Sequence, residues 1–135
     1  MPLSNLFKKR TVQPPAKPLR TEPNPPPVHV VEVQAARLIA QVSAGAQINL
    51  LDCREPFERA QMRIPGSLHI AMNDIPARLS ELDAALPWVV VCAHGHRSYS
   101  VADYLLRNGI EASSLAGGIT DWALCGGTTE SDFRR

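Results

Sequence analysis

The segment Trp88-Val89-Val90-Val91-Cys92 constrains the fold more than any other. Its residues are apolar without alternation, and three consecutive β-branched valines favour an extended strand. A strand with one face in water alternates apolar and polar residues, whereas an unbroken run suits a strand covered on both faces. After a short polar stretch the pattern changes to SYSVADYLLRNG, which has helical spacing. Val101, Tyr104 and Leu105 fall on one side of this predicted helix, and Gly109 stands at its C-cap.

The remaining chain repeats that alternation. VHVVEV, from Val28, is rich in β-formers, and ARLIAQVSAG has helical spacing through Leu38, Ile39 and Val42 before a stop at Gly45. INLLD, 48–52, reads as a second buried strand, and EPFERAQM predicts a short helix. IPGSLHIAM, 64–72, turns at Pro65-Gly66 and returns as a short strand. IPARLSEL predicts another helix, and EASSLAGGITDWA a strand, a glycine turn and a short helix. Apolar strands alternating with helices give an α/β fold with a parallel sheet, whose ligands bind beyond the carboxyl ends of the strands. Cys92 stands at such an end.

The 135 residues suit one domain. Eight of the twelve prolines fall within residues 1–27, a composition that cannot build a hydrogen-bonded helix or central strand and predicts a disordered arm. That arm is basic, at +4, while residues 28–135 sum to −3. A mildly acidic body argues against a nucleic-acid partner, which requires clustered Lys and Arg. No apolar run approaches the roughly 18 residues needed to cross a bilayer, and the N-terminus lacks the apolar core of a secretory signal. Three irregularly spaced cysteines, Cys53, Cys92 and Cys125, do not make a disulfide framework and fit a reducing, cytoplasmic setting.

A cysteine at the end of a core strand is most often a small inert hydrophobe. Here the next six residues, Ala93-His94-Gly95-His96-Arg97-Ser98, have almost no apolar bulk and are poor core material. Folded back as a loop, their N–H groups would converge on the sulfur, and a helix beginning near Ser98 would add about half a positive charge behind it. Thiolate is then favoured over thiol. Gly95 would permit a positive φ, and Arg97 would offer a permanent cation with a planar fork of donors to an anionic substrate.

The segment from Cys92 to Ser98 resembles the C-x-x-G-x-R active-site loop of the rhodanese family of sulfurtransferases. LLDCREPFE (50–58) is similar to that family's D-x-R-E stretch, RIPGSLHI (63–70) to its H-I-P-G-A segment and LAGGITDW (115–122) to its closing G-G-x-x-x-W. The likeness spans residues 28–124 and leaves a C-terminal tail, 125–135. It implies a single domain with about five parallel strands, helices on both faces, and the cysteine loop at the carboxyl edge. It also implies that Cys92 takes a sulfane sulfur from thiosulfate or a persulfide, becomes a persulfide itself, and passes the sulfur to a thiol, cyanide or protein acceptor. No metal or organic cofactor is implied. Asp52 and Arg54, by the same likeness, pair near the loop and fix its shape. Arg63 stands where the family has histidine and Met62 where it has glycine, departures expected to have local effects only.

Three other readings compete. Phosphatases with a C-x-x-x-x-x-R loop share the fold, but only four residues separate Cys92 from Arg97, which disfavours phosphate hydrolysis and leaves arsenate reduction as a weaker alternative. A noncatalytic partner-binding module is the second, and degenerate modules of this kind usually lack the cysteine. Metal binding by Cys92, His94 and His96 is the third, and no second cluster completes four ligands. Cys53 follows the neighbouring strand and is either a resolving thiol for Cys92 or a packing residue, the latter favoured because disulfides need Cα separations below about 7 Å.

Overall fold

Five parallel strands form one sheet in the order β1-β5-β4-β2-β3. The computed structural model describes residues 28–133, so the proline-rich arm, 1–27, lies outside the described residues. The elements are β1 (Val31–Val33), α1 (Ala35–Ser43), β2 (Asn49–Asp52), α2 (Pro56–Gln61), β3 (Leu68–His69), β4 (Trp88–Val91), α3 (His96–Arg107), β5 (Ala112–Leu115) and α4 (Gly118–Leu124). The Val-rich run is the middle strand, paired with β2 on one side and β5 on the other.

Strand alternation assigns its side chains to two apolar layers. Trp88, Val90 and Cys92 pack in one cluster with Val101, Ala102 and Leu105 of α3, while Val91 packs in the other with Leu38 of α1 and Ile119 and Trp122 of α4. Both layers being filled, β4 needs no polar face. This is the two-faced α/β sheet that the sequence predicts.

Two boundaries differ from the sequence reading. IPARLSEL forms a 3-10 stretch, Pro76–Glu81, kinked at Arg78, instead of an α-helix. Arg78 leaves helical geometry at φ −117° and ψ 18°, and N–H groups on either side bond back three residues, Arg78 to Ile75 at 3.0 Å and Leu82 to Leu79 at 3.1 Å. Helix α3 begins at His96, two residues early, because Gly95 at φ 101° turns the chain directly into it.

Residues beyond α4 return to the domain. Glu130 and Arg63 exchange backbone hydrogen bonds at 2.9 Å, and the Arg63 guanidinium pairs with Glu130 at 3.0 Å and Asp132 at 2.8 Å. The arginine at this position thus ties residues 130–132 to the segment after α2. Among the described residues no helix is long and apolar enough to cross a membrane.

Candidate active site

The chain between β4 and α3 wraps around one sulfur. The N–H groups of Gly95 and Ser98 donate to Cys92 Sγ at 3.1 and 3.2 Å. As a thiol, Sγ donates to Ser98 Oγ at 3.3 Å, and that oxygen lies 2.7 Å from Ser114 Oγ of β5. Gly95 caps the twelve-residue α3 and Ser98 is in its first turn, so the positive end of the helix faces the sulfur. Aligned main-chain dipoles and a hydroxyl hold negative charge at such a point without rearranging. Cys92 is 1 % exposed, so a reaction partner must reach it through the loop rather than across an open floor.

The loop is held from outside by the glycine pair that opens α4. Ile119 N–H donates to Cys92 O at 2.9 Å and Thr120 N–H to Ala93 O at 3.3 Å. These bonds turn two loop carbonyls towards α4 while the amides of Gly95 and Ser98 turn to the sulfur. The approach requires glycine: at Gly118, φ 63°, a Cβ would collide with backbone atoms of both Cys92 and Ala93. Gly95 is similarly fixed, since a Cβ there would lie 3.1 Å from Gly117 N. His94 and His96 are exposed at the rim, and His94 Nδ1 is 3.4 Å from Thr120 Oγ1.

Arg97 does not present a free fork. Its Nη1 and Nη2 donate to Glu58 Oε1 and Oε2 of α2, both at 2.8 Å. The Arg97 guanidinium holds the Glu58 carboxyl down at about 2, and Glu58, followed by the charge of Cys92, raises Arg97. Glu58 Oε1 also accepts the Glu55 N–H at 2.9 Å, completing a reciprocal cap on α2.

Asp52 and Arg54 do pair, both almost fully buried. Asp52 Oδ1 accepts Arg54 N–H and Nε–H at 3.0 Å, and Arg59 adds a 3.2 Å contact to Oδ2. Their further bonds run to α2: Arg54 donates to Glu58 O at 3.4 Å and Met62 O at 2.6 Å. The pair therefore reaches the cysteine loop through α2 and its Glu58.

Cys53 and Cys92 continue neighbouring strands past the register pair Asp52–Val91, and Cys53 N–H donates to Val91 O at 3.0 Å. Both sulfurs belong to the same apolar layer, and all three cysteines are free. Burial, then the nearby Cys92 and Asp52, pushes the Cys53 thiol up to about 12. Cys125 is exposed at the end of α4.

Sequence reasoning missed Glu58 and Ser114. A carboxylate three residues after Glu55 marked the cap on α2 but not its partner in α3. Ser114 carried a weaker signal, a polar residue in a strand otherwise bound for the core.

The family profile described as "Rhodanese-like domain" matches residues 34–125. A protein named "Sulfurtransferase" from Allochromatium vinosum is 36% identical over 95 residues, 70% of this chain and 89% of its own length. "Thiosulfate sulfurtransferase GlpE" of Stutzerimonas stutzeri is 39% identical over 84 residues, covering 62% of this chain and 75% of its own. Among solved structures, a rhodanese-like domain protein from Staphylococcus aureus is similar with a TM-score of 0.66 and 30% identity, over 69% of this chain and 91% of the other.

Proposed function

Since the chain belongs to the rhodanese-like domain family, we propose that it is a sulfurtransferase in which Cys92 carries the transferred sulfur. The Cys92 thiolate attacks the outer sulfur of a sulfane donor, the donor's S–S bond breaks, and the chain holds a Cys92 persulfide. A thiophilic acceptor, whether a thiol, cyanide or a protein cysteine, then attacks the outer sulfur and regenerates the thiolate.

The observation that carries this reading is the pair of N–H groups on Sγ. They are fixed by Gly95, by the start of α3 and by the Gly117-Gly118 brace, so they meet a sulfur anion in place before reaction. Electrostatic stabilisation of that kind acts without a cofactor. Ser98 Oγ, within 2.7 Å of Ser114 Oγ, supplies a third contact that accepts a hydrogen bond from the thiol and donates one to the anion. His94 and His96 line the rim. Three free cysteines and this chemistry suit a cytoplasmic, reducing location.

The test is intact mass after exposure to a sulfane donor. The protein gains one sulfur atom, cyanide removes it, and Cys92→Ser gains none. Failure to load from any sulfane donor, or Cys92-dependent hydrolysis of an aryl phosphate in its place, overturns the reading.

A further inference from the structure

Sulfane donors differ in charge, and the charge around Cys92 is unusually complete in its pairing. Among the described residues there is no lysine, and every arginine except Arg37 is held by a carboxylate. Arg37 lies on α1 beside β1, two strands away from β4. Seven arginines against twelve acidic residues leave residues 28–133 at −5. The one cation built into the cysteine loop, Arg97, is matched oxygen for nitrogen by Glu58.

A dianionic donor would therefore meet main-chain amides and two rim imidazoles, with no unpaired guanidinium beside the loop among the described residues. With thiosulfate, Cys92–S⁻ bonds to the outer sulfur, the S–S bond breaks, and the electron pair leaves on sulfite, so two negative charges must be accommodated throughout. With a persulfide R–S–SH, the same bond forms, the donor's S–S bond breaks, and the electron pair leaves on RS⁻. The proton stays on the transferred sulfur. The second route brings no dianion into the site.

Resting on the sulfurtransferase reading, we propose that the donor is the persulfide of a small thiol rather than thiosulfate, and that Glu58 sets this preference by neutralising Arg97. Glu58 is a positioning residue here, acting through the guanidinium.

The experiment measures second-order loading of Cys92 by intact mass, with cysteine persulfide and with thiosulfate, in the full chain. The unaltered protein loads from the persulfide at least tenfold faster. Glu58→Gln keeps a hydrogen-bonding side chain of the same shape and exposes one positive charge to the dianion. It raises the thiosulfate-to-persulfide rate ratio about tenfold, the order expected for a unit charge acting on a dianion at close range when water screens the pair. That gain falls with added salt, a response that a purely structural role for Glu58 would not produce. In Glu58→Gln/Arg97→Gln the ratio returns to that of the unaltered protein. Thiosulfate loading as fast as persulfide loading in the unaltered protein, or an unchanged ratio in a folded Glu58→Gln, overturns the proposal and leaves the sulfurtransferase reading standing. If Glu58→Gln does not fold, the comparison of donors in the unaltered protein still decides. Loading from neither donor overturns the sulfurtransferase reading itself.

Discussion

Replacing Gly118 by alanine tests whether the brace from α4 shapes the sulfur cradle, and Gly126→Ala supplies its control. Both glycines have positive φ, 63° and 88°, so alanine at either position incurs the left-handed penalty of about 1–2 kcal/mol. They differ in surroundings. A Cβ on Gly126 meets nothing within 4 Å, whereas one on Gly118 runs into main-chain atoms of Cys92 and Ala93. Backbone cannot rotate away as a flexible side chain can, so overpacking adds about 1–3 kcal/mol at Gly118 alone. With a urea slope of about 1–3 kcal/mol per molar, the midpoint of Gly118→Ala should lie about 1 M below that of Gly126→Ala. Urea unfolding followed by tryptophan fluorescence measures this. The folded Gly118→Ala protein should also load sulfur more slowly, since the bond from Ile119 N–H to Cys92 O is displaced. Equal midpoints for the two variants, or loading of Gly118→Ala at the unaltered rate, would refute the bracing argument.

Ser98→Ala removes the hydroxyl between Cys92 Sγ and Ser114 Oγ and leaves a buried hydroxyl short of a partner; stability should fall by about 1–3 kcal/mol and sulfur loading by roughly tenfold, and loading at the normal rate would show the relay to be idle. Cys53→Ala should retain transfer and the same sensitivity to peroxide, because a thiol pushed up to about 12 is almost wholly protonated at pH 7; a changed lifetime of the Cys92 persulfide would instead mark Cys53 as a resolving thiol. The Glu58 carboxyl, held at about 2 against an ordinary 4.5, contributes stability that is complete above about pH 5 and lost as pH falls through 2. Urea midpoints measured from pH 6 to pH 2 should therefore decline more steeply in the unaltered protein than in Glu58→Gln, and parallel declines would contradict the assignment.

The strands were legible because a doubly covered strand leaves a direct mark, an unbroken apolar run, as at Val89 to Val91 and, more briefly, at Leu50 and Leu51. The cysteine loop was legible for the opposite reason: glycine, histidine and arginine directly after such a run have no place in a core. What local pattern does not carry is the partner of a charged side chain. Arg97 looks free in sequence, and its partner Glu58 is 39 residues earlier. Arg63 likewise looks like a plain departure from a motif until the fold brings Glu130 and Asp132 beside it. The α-helix expected from IPARLSEL failed because spacing over so short a segment does not show where the backbone leaves helical geometry, as it does at Arg78.

The order of strands has a consequence for how the protein is made. Within the described sheet β1 pairs only with β5, the last strand, and α4 follows that strand. A chain leaving the ribosome therefore holds β1 without a neighbour in this sheet until about residue 115 has emerged, and braces the loop after Cys92 only once Ile119 has arrived. Until α4 has formed, the bonds from Ile119 and Thr120 to the carbonyls of Cys92 and Ala93 are missing, so the cysteine loop gains its brace in the same step that seals the edge.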